Sequence, residues 1–529
     1  MSSITAVLID TPSIQQYVFS GNRLKENIGA SNIVTGIYED SLKASLKTVL
    51  NHEAHLNKWE ENPEDILIKN SDNDFEVGYI GGGKALLFFR EQGKAQELIR
   101  EWTKDLLLKA PGLNTAFAVS DFHLDHFQEE MEKLHKELEM NKNRYFPQTF
   151  LPKHGITADC RFSGLSSEAY FQPSKEEKGF YISSVSYTKY QNFELDKEKR
   201  RVEKKSKGRF TCAANINMLG QTRGQNHIAI VHIDGNFMGE QFKACQDLIA
   251  IRKLSKSLKD IMDRVYEKFL DYVINQMEFF KEKESGFDLK KEDGKYIIPF
   301  RPVLIAGDDI TFITDGRLGL PFTEKYLELI SRENLMTDKK ISACAGVAIT
   351  KTKYPFSRGY KLAEELCQNA KDQAREAKIS KNEETSWLDF HMAYGGFSGS
   401  LMEIRRKKCS INNCQLHFGP YLVASDDLSD EKNIKHLKNG IKDFINTKKW
   451  PRSMVKEFRE YLTLGERAAQ DFRDEMQIKG RELYDLPATG KGYGVNIWRG
   501  GSTPYFDMIE LLDFYPKHFL TAGQVNTDA

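Results

Sequence analysis

The chain has 529 residues, 40% of them hydrophobic and 29% charged, with 76 lysines and arginines against 76 aspartates and glutamates. That length exceeds one ordinary core and predicts three or four domains, while the even charge excludes a general polyanion binder. No stretch approaches the ~18 consecutive apolar residues of a membrane span, Met1–Asp10 lacks the pattern of a signal peptide, and seven cysteines without framework spacing point to a reduced, cytoplasmic compartment.

In chain order, Ile4–Ile9 reads as a buried strand running into Asp10, followed by Ile14-Gln-Gln-Tyr-Val-Phe19 and a long helical stretch. Val77–Phe89 reads as a β-hairpin turning at Gly81-Gly-Gly-Lys84. Asn114–Val119 reads as a third strand and 122–142 as an amphipathic helix. The region 145–225 is polar and includes Lys197-Glu-Lys-Arg-Arg-Val-Glu-Lys-Lys-Ser-Lys207, a solvated helix or loop that could also touch nucleic acid. A second buried strand, Ile228–Asp234, leads into Gly235-Asn236-Phe237-Met238-Gly239 and a helix expected from about Glu240. A second hairpin, Val303–Ile313, turns at Ala306-Gly307-Asp308-Asp309, and Ser342–Ile349 and 356–378 read as a strand and an amphipathic helix. Residues 425–482 read as helices rich in lysine and glutamate, and Gly490–Gly501 as a glycine-rich loop.

These landmarks repeat. Asp10 to Gly82 spans 72 residues and Asp234 to Gly307 spans 73; from those glycines to Ala116 and Ala343 the offsets are 34 and 36. Two copies of one βααβ-hairpin-αβ unit explain the coincidence.

Only the second copy keeps its acids. A strand delivers Asp234 at its end and a hairpin delivers Asp308 and Asp309 at its tip. Three converging carboxylates repel one another unless a cation compensates them, and hard oxygen ligands suit Mg²⁺ or Mn²⁺. Two such ions about 4 Å apart can activate a hydroxyl and hold a triphosphate. The Gly235–Gly239 turn is suited to the phosphates, with backbone N–H groups at a helix start. In the first copy Gly83 and Lys84 replace the acidic pair, so that copy is expected to be catalytically silent, with Asp10 as a helix cap.

The sequence resembles the palm-domain large subunit of type III CRISPR effector complexes, which makes cyclic oligoadenylates from ATP. The resemblance rests on Ile14–Ser31, Tyr79–Lys84, Asp234–Gly239, Arg301–Asp309, Ser342–Ile349 and Lys353–Arg358, with an echo at Phe418-Gly-Pro-Tyr421. It implies an α+β fold with two ferredoxin-like, GGDEF/cyclase-type palms in a pseudo-dimeric arrangement, ATP at their interface and antiviral signalling as the role. The expected organisation is a silent first palm (1–145), an inter-palm linker domain (146–225), a catalytic second palm (226–424) and a C-terminal helical domain (425–529). Carried over, Asp234, Asp308 and Asp309 are catalytic, and Asp234, Gly235, Asp308 and Asp309 hold two metals. Gly235, Asn236, Phe237, Met238, Gly239 and Gly307 contact the nucleotide, with Lys353 and Arg358 as further phosphate contacts. Guide or target RNA and CRISPR small subunits are the implied partners.

The chain departs from the family pattern in several places. Ala306 replaces the first glycine of the usual Gly-Gly-Asp-Asp, with altered geometry expected if that position needs positive φ. Asn236 replaces a familiar acid. No His-Asp dipeptide occurs, so no HD nuclease activity is expected. Cys160 and Cys212 are isolated and Cys409-x₄-Cys414 lacks a second pair, so no structural zinc is expected. The alternatives are a scaffold subunit with a weakened cyclase site, or a templated polymerase, against which the lack of a basic fingers module argues.

Overall fold

A computed structural model describes residues 4–50, 56–70, 73–143, 155–173, 178–193, 196–220, 226–336, 340–393, 395, 399–412, 414–486 and 492–521. Gly490 and Lys491, at the start of the expected glycine-rich loop, lie outside them.

The fold is α+β. β1 (Ile4–Asp10), β2 (Phe75–Gly81), β3 (Lys84–Phe89) and β4 (Ala116–Phe122) form an antiparallel sheet in the order β2-β3-β1-β4. β5 (His227–Gly235), β6 (Phe300–Ala306), β7 (Asp309–Asp315), β8 (Ala343–Lys351), β9 (Ser386–Met392) and β10 (Tyr421–Val423) form the second sheet, in the order β6-β7-β5-β8-β9-β10. Its first four strands repeat the spatial order of the first sheet, again with every neighbour antiparallel. β9 joins β8 in parallel, and the short β10 pairs with β9.

On the first sheet, α1 (Ile14–Phe19) and α2 (Leu24–Gly36) follow β1, and α3 (Phe127–Lys142) follows β4. From the intervening region α4 (Ser184–Phe193) packs against α2. The approach is close enough that a Cβ on Gly29 would fall 1.7 Å from the Lys189 carbonyl oxygen. α5 (Lys197–Lys205) is the expected basic helix. Its charges are answered within the chain: Arg201 and Lys205 pair with Glu267, Lys205 also with Asp271 at 2.5 Å, and Glu203 with Lys295 at 2.9 Å.

Those acids lie on α6 (Leu248–Lys281), which starts where Asp247 caps the Ala250 N–H at 2.7 Å. Its stripe of Leu254, Leu258, Ile261, Val265, Phe269, Val273, Met277 and Phe280 recurs every three or four residues and is buried against the second sheet. α7 (Phe356–Lys381) covers the opposite face. Along β5 the alternation decides which side each residue serves. Ala229, Val231 and Ile233 join the α6 core, whereas Ile228 and Ile230 join the core shared with the first sheet.

The two units are therefore packed together. Arg252 of α6 is buried, donating to Glu76 and to the Val77 carbonyl, both at 2.5 Å, and to Gly78 O at 3.2 Å. Phe19 stacks on Tyr360 with ring centroids 3.8 Å apart. The helices expected as a C-terminal domain share one hydrophobic core with the second sheet: Leu437, Phe444, Phe458, Phe472, Tyr505 and Phe519 belong to it. A buried charge knot ties the two. His417 lies 2.8 Å from Asp389 of β9 and 3.0 Å from Asp507, and Asp507 also accepts from Tyr421 Oη at 2.6 Å. Of the seven cysteines, none disulfide-bonded, Cys160, Cys212, Cys344, Cys367 and Cys409 are buried. Among the described residues no helix is long and apolar enough to cross a membrane.

Candidate active site at the facing hairpins

The second hairpin turns in two residues. Ala306 pairs with Asp309, and Gly307 takes the left-handed conformation with φ 62°, as a type II′ turn requires of its first central residue. The left-handed position is thus 307, and alanine at 306 remains in the strand. In the first hairpin Gly81 pairs with Lys84, and Gly82 and Gly83 are both left-handed, at φ 58° and 75°. The two tips meet: a Cβ on Gly307 would lie 3.7 Å from Gly82 Cα.

β5 brings Asp234 to the same place. Ile233 pairs with Ile310, which sets Asp234 beside Asp309 on the neighbouring strand. Gly235 permits Asp308 to fold in, since a Cβ there would stand 2.6 Å from Asp308 Oδ2. Asp234, Asp308 and Asp309 are thus neighbours at the strand ends, on the sheet face turned toward the first unit.

Their charges are unevenly answered. Burial, then the neighbouring Asp234 and Asp309, push the Asp308 carboxyl from 3.8 up to about 7. Asp234 accepts from Lys371 Nζ of α7 at 2.5 Å. Burial opposes the Lys371 charge, but Asp234 overrides it and the ammonium pKa is raised. Asp309 Oδ2 accepts from Gln15 Nε2 of α1 at 2.9 Å. Its buried Oδ1 accepts no aligned hydrogen bond, but lies 3.2 Å from His232 Nδ1; burial opposes the imidazolium charge, and Asp309 overrides it and raises the His232 pKa. The His232 nitrogen sits 3.1 Å from Thr311 Oγ1.

An orphaned carboxylate oxygen and an under-compensated acidic pair fit a hard divalent cation. Among the described residues, though, no three acidic side chains stand in a ligating arrangement, because Asp234 is turned onto Lys371.

The turn after Asp234 divides into residues open to a ligand and residues that hold the turn. Asn236 belongs to the second group. Its N–H donates to Ser342 O at 2.9 Å, and its Nδ2 to Ser342 Oγ at 3.0 Å and Thr385 O at 3.1 Å. Its donors are spent on the fold, contrary to the expected nucleotide contact. Phe237 is left-handed (φ 58°) with Lys378 Nζ 3.6 Å from its ring centroid. Met238 is buried, Gly239 faces open space, and the helix they begin is Met238–Lys243.

Lys353 and Arg358 are not brought to the acids. β8 starts opposite Gly235 and ends opposite His227, so Lys353 lies past the far end of the sheet. Arg358 is thirteen residues before Lys371 on α7, about 20 Å along the helix at 1.5 Å per residue. Asp10 is also not a cap: it pairs with Lys142 of α3 at 2.5 Å. That pair is the first-unit twin of Asp234–Lys371, and the repeat was the sequence signal that could have exposed Lys371. Gln15 and His232 carried no such signal.

A family model for the second palm domain of Cas10/Cmr2 matches residues 227–379. No curated protein matches the sequence. Among solved structures, a Csm1-Csm4 cassette in complex with pppApApA aligns over 97% of this chain and 69% of that chain, at 11% identity and TM-score 0.54. The Csm1-Csm4 subcomplex of the type III-A CRISPR-Csm interference complex aligns over 97% and 70%, at 12% identity and TM-score 0.50. The cassette in complex with AMPPNP aligns over 70% of this chain, at 13% identity and TM-score 0.42; the aligned part spans about half of that chain (53%). Residues 227–379, at whose strand ends the three aspartates stand, thus match the second palm domain of Cas10/Cmr2, and the chain as a whole has a fold similar to Csm1-Csm4 structures.

Proposed function

We propose that the protein joins ATP, or another nucleoside triphosphate, into a cyclic oligonucleotide messenger, at a site built on Asp234, Asp308 and Asp309 and closed by the first unit. The observation that carries this reading is the convergence of three carboxylates at two strand ends, with one buried oxygen lacking a donor. A similar fold captured with pppApApA supports the substrate class. Divalent Mg²⁺ or Mn²⁺, when bound, would lower the cost of the α-phosphate's charge and activate the attacking ribose hydroxyl.

The chain's own residues do the rest. Asp308 and Asp309 offer oxygens at the hairpin tip, and Asp234 adds a third once Lys371 releases it. Gly235 gives Asp308 its room, and the Asn236 bonds to Ser342 and Thr385 fix the approach to the turn. Gly82 and Gly307, meeting at the tips, put no side chain between the two hairpins. A second messenger for antiviral defence, made in a type III CRISPR complex with other subunits and RNA, is the setting this reading implies.

Incubation of the purified chain with labelled ATP and Mg²⁺ or Mn²⁺, alone and with partner subunits and target RNA, followed by mass spectrometry, tests it. A cyclic product lost in the Asp308→Ala/Asp309→Ala double variant is expected. No product under any of these conditions, or product retained by the double variant, overturns the reading.

A further inference from the structure

Gln15 and Asp309 are 294 residues apart and belong to different units, yet the Gln15 amide nitrogen lies 2.9 Å from Asp309 Oδ2. The amide must present its nitrogen there, because its oxygen would face another oxygen. We propose that Gln15 is a positioning residue for the carboxylate site: it holds one oxygen of Asp309 so that the other is presented to a divalent cation. The proposal rests on the metal-site reading above.

The geometry around both partners supports it. An amide donor fixes a carboxylate without bringing a charge of its own, unlike the lysine on Asp234, which leaves His232, 3.2 Å from Oδ1, as the charged neighbour that a cation would replace. The oxygen it does not hold, Oδ1, is the buried one without a donor. The helix that carries Gln15 is itself anchored. Lys189 Nζ donates to Tyr17 O at 2.6 Å and to Ser20 Oγ at 3.0 Å, and Phe19 stacks on Tyr360, whose ring meets His232 edge-on at 5.6 Å. The first hairpin makes the space. A Cβ on Gly83 would strike Ile14 Cδ1 at 2.3 Å, and Gly83 O is held by Thr11 N–H at 2.9 Å and Tyr38 Oη at 2.6 Å. The glycine that stands where the second copy has Asp308 is therefore what lets α1 reach across. The acidic site is complete only while the two units are docked.

Mn²⁺ binding to the full chain, followed by electron paramagnetic resonance, reads this without activity. Removing a group that orients a metal ligand costs about 10–100-fold in affinity, so Gln15→Ala is expected to weaken Mn²⁺ binding about tenfold, and Gln15→Glu at least as much. Gln16→Ala, on the exposed neighbour, is expected to leave it unchanged. Product formation by Gln15→Ala should need more Mn²⁺ and recover at saturation, with an unaltered thermal midpoint. If Gln15→Ala binds Mn²⁺ as tightly as the parent while Asp309→Ala does not, Gln15 has no positioning role and the metal-site reading stands. If the parent chain binds no Mn²⁺, both fall.

Discussion

Asp308→Asn should make the cation-free protein more stable while removing its activity. The carboxyl is buried and its pKa stands at about 7 against an ordinary 3.8. A folded-state pKa above the unfolded one means the folded protein holds this proton more tightly. The stability so gained is fully present below pH 3.8 and is lost as pH rises through about 7. Above pH 7 the shift corresponds to about 4 kcal/mol at 1.36 kcal/mol per unit, a penalty that asparagine does not carry. At roughly 2–4 °C per kcal/mol for a unit of this size, the variant should melt about 8–16 °C higher near pH 8. The gap should shrink to less than half near pH 5, where the folded carboxyl is already protonated. Mg²⁺ or Mn²⁺ should raise the parent's midpoint and leave the variant's in place. Scanning calorimetry across pH, with and without cation, measures all three. A variant less stable than the parent near pH 8, or a gap that does not depend on pH, would refute the reasoning.

Other expectations follow from the packing. Gly235→Ala places a methyl 2.6 Å from Asp308 Oδ2 and 2.9 Å from its Cβ; displacement of the acid should cut product formation about 100-fold, with circular dichroism unchanged. Arg252→Ala leaves the buried Glu76 carboxylate without its counter-charge, at a cost of about 3–5 kcal/mol that chemical denaturation would show as early separation of the two units. Asp507→Ala strands His417 and Tyr421 in the buried knot and should cost a similar amount. Burial raises the Asp389 and Asp507 carboxyls, but Arg405 and His417 beside the first, and His417 beside the second, hold both below the ordinary value. Their contribution is present above pH 3.8 and is lost as pH falls below it. Acid unfolding of the parent should therefore expose Trp450, Trp498 and the C-terminal core first, read by fluorescence.

Much of the fold was legible because it is local. The continuous apolar runs of β1 and β5 and the turn residues between β2 and β3 and between β6 and β7 announce themselves, and the repeat aligns them. The three acids were legible for the same reason, each lying at a strand end or a turn. What eluded the sequence depends on long-range packing. Lys371 meets Asp234 across 137 residues and Gln15 meets Asp309 across 294, and no local pattern encodes either. Lys353 and Arg358 came from the family resemblance, and they lie apart from the acids. β8 runs antiparallel to β5, so the loop after it lies at the end away from Asp234. The basic run 197–207 suggested a wet or nucleic-acid-facing helix; Lys197 and Lys204 are exposed, while Arg201 and Lys205 find partners on α6 some seventy residues later. Asn236 looked like a ligand because it follows Asp234, but its donors face Ser342 and Thr385.

The core shared by the second sheet and the C-terminal helices has a consequence for biosynthesis. A chain leaving the ribosome through residue 424 has every strand of the sheet, but lacks Leu437, Phe444, Phe458, Phe472 and Tyr505, which cover it, and Asp507, which receives the Tyr421 hydroxyl. Domains generally fold as units during synthesis, and exposed apolar surface invites aggregation while a unit is incomplete. The nascent second sheet waits for about eighty further residues, through Asp507, with one flank open, a window in which a chaperone has something to hold. An excised 226–424 fragment carries that open flank permanently and should be insoluble, so the shortest fragment that retains the acids and folds alone runs on through the C-terminal helices.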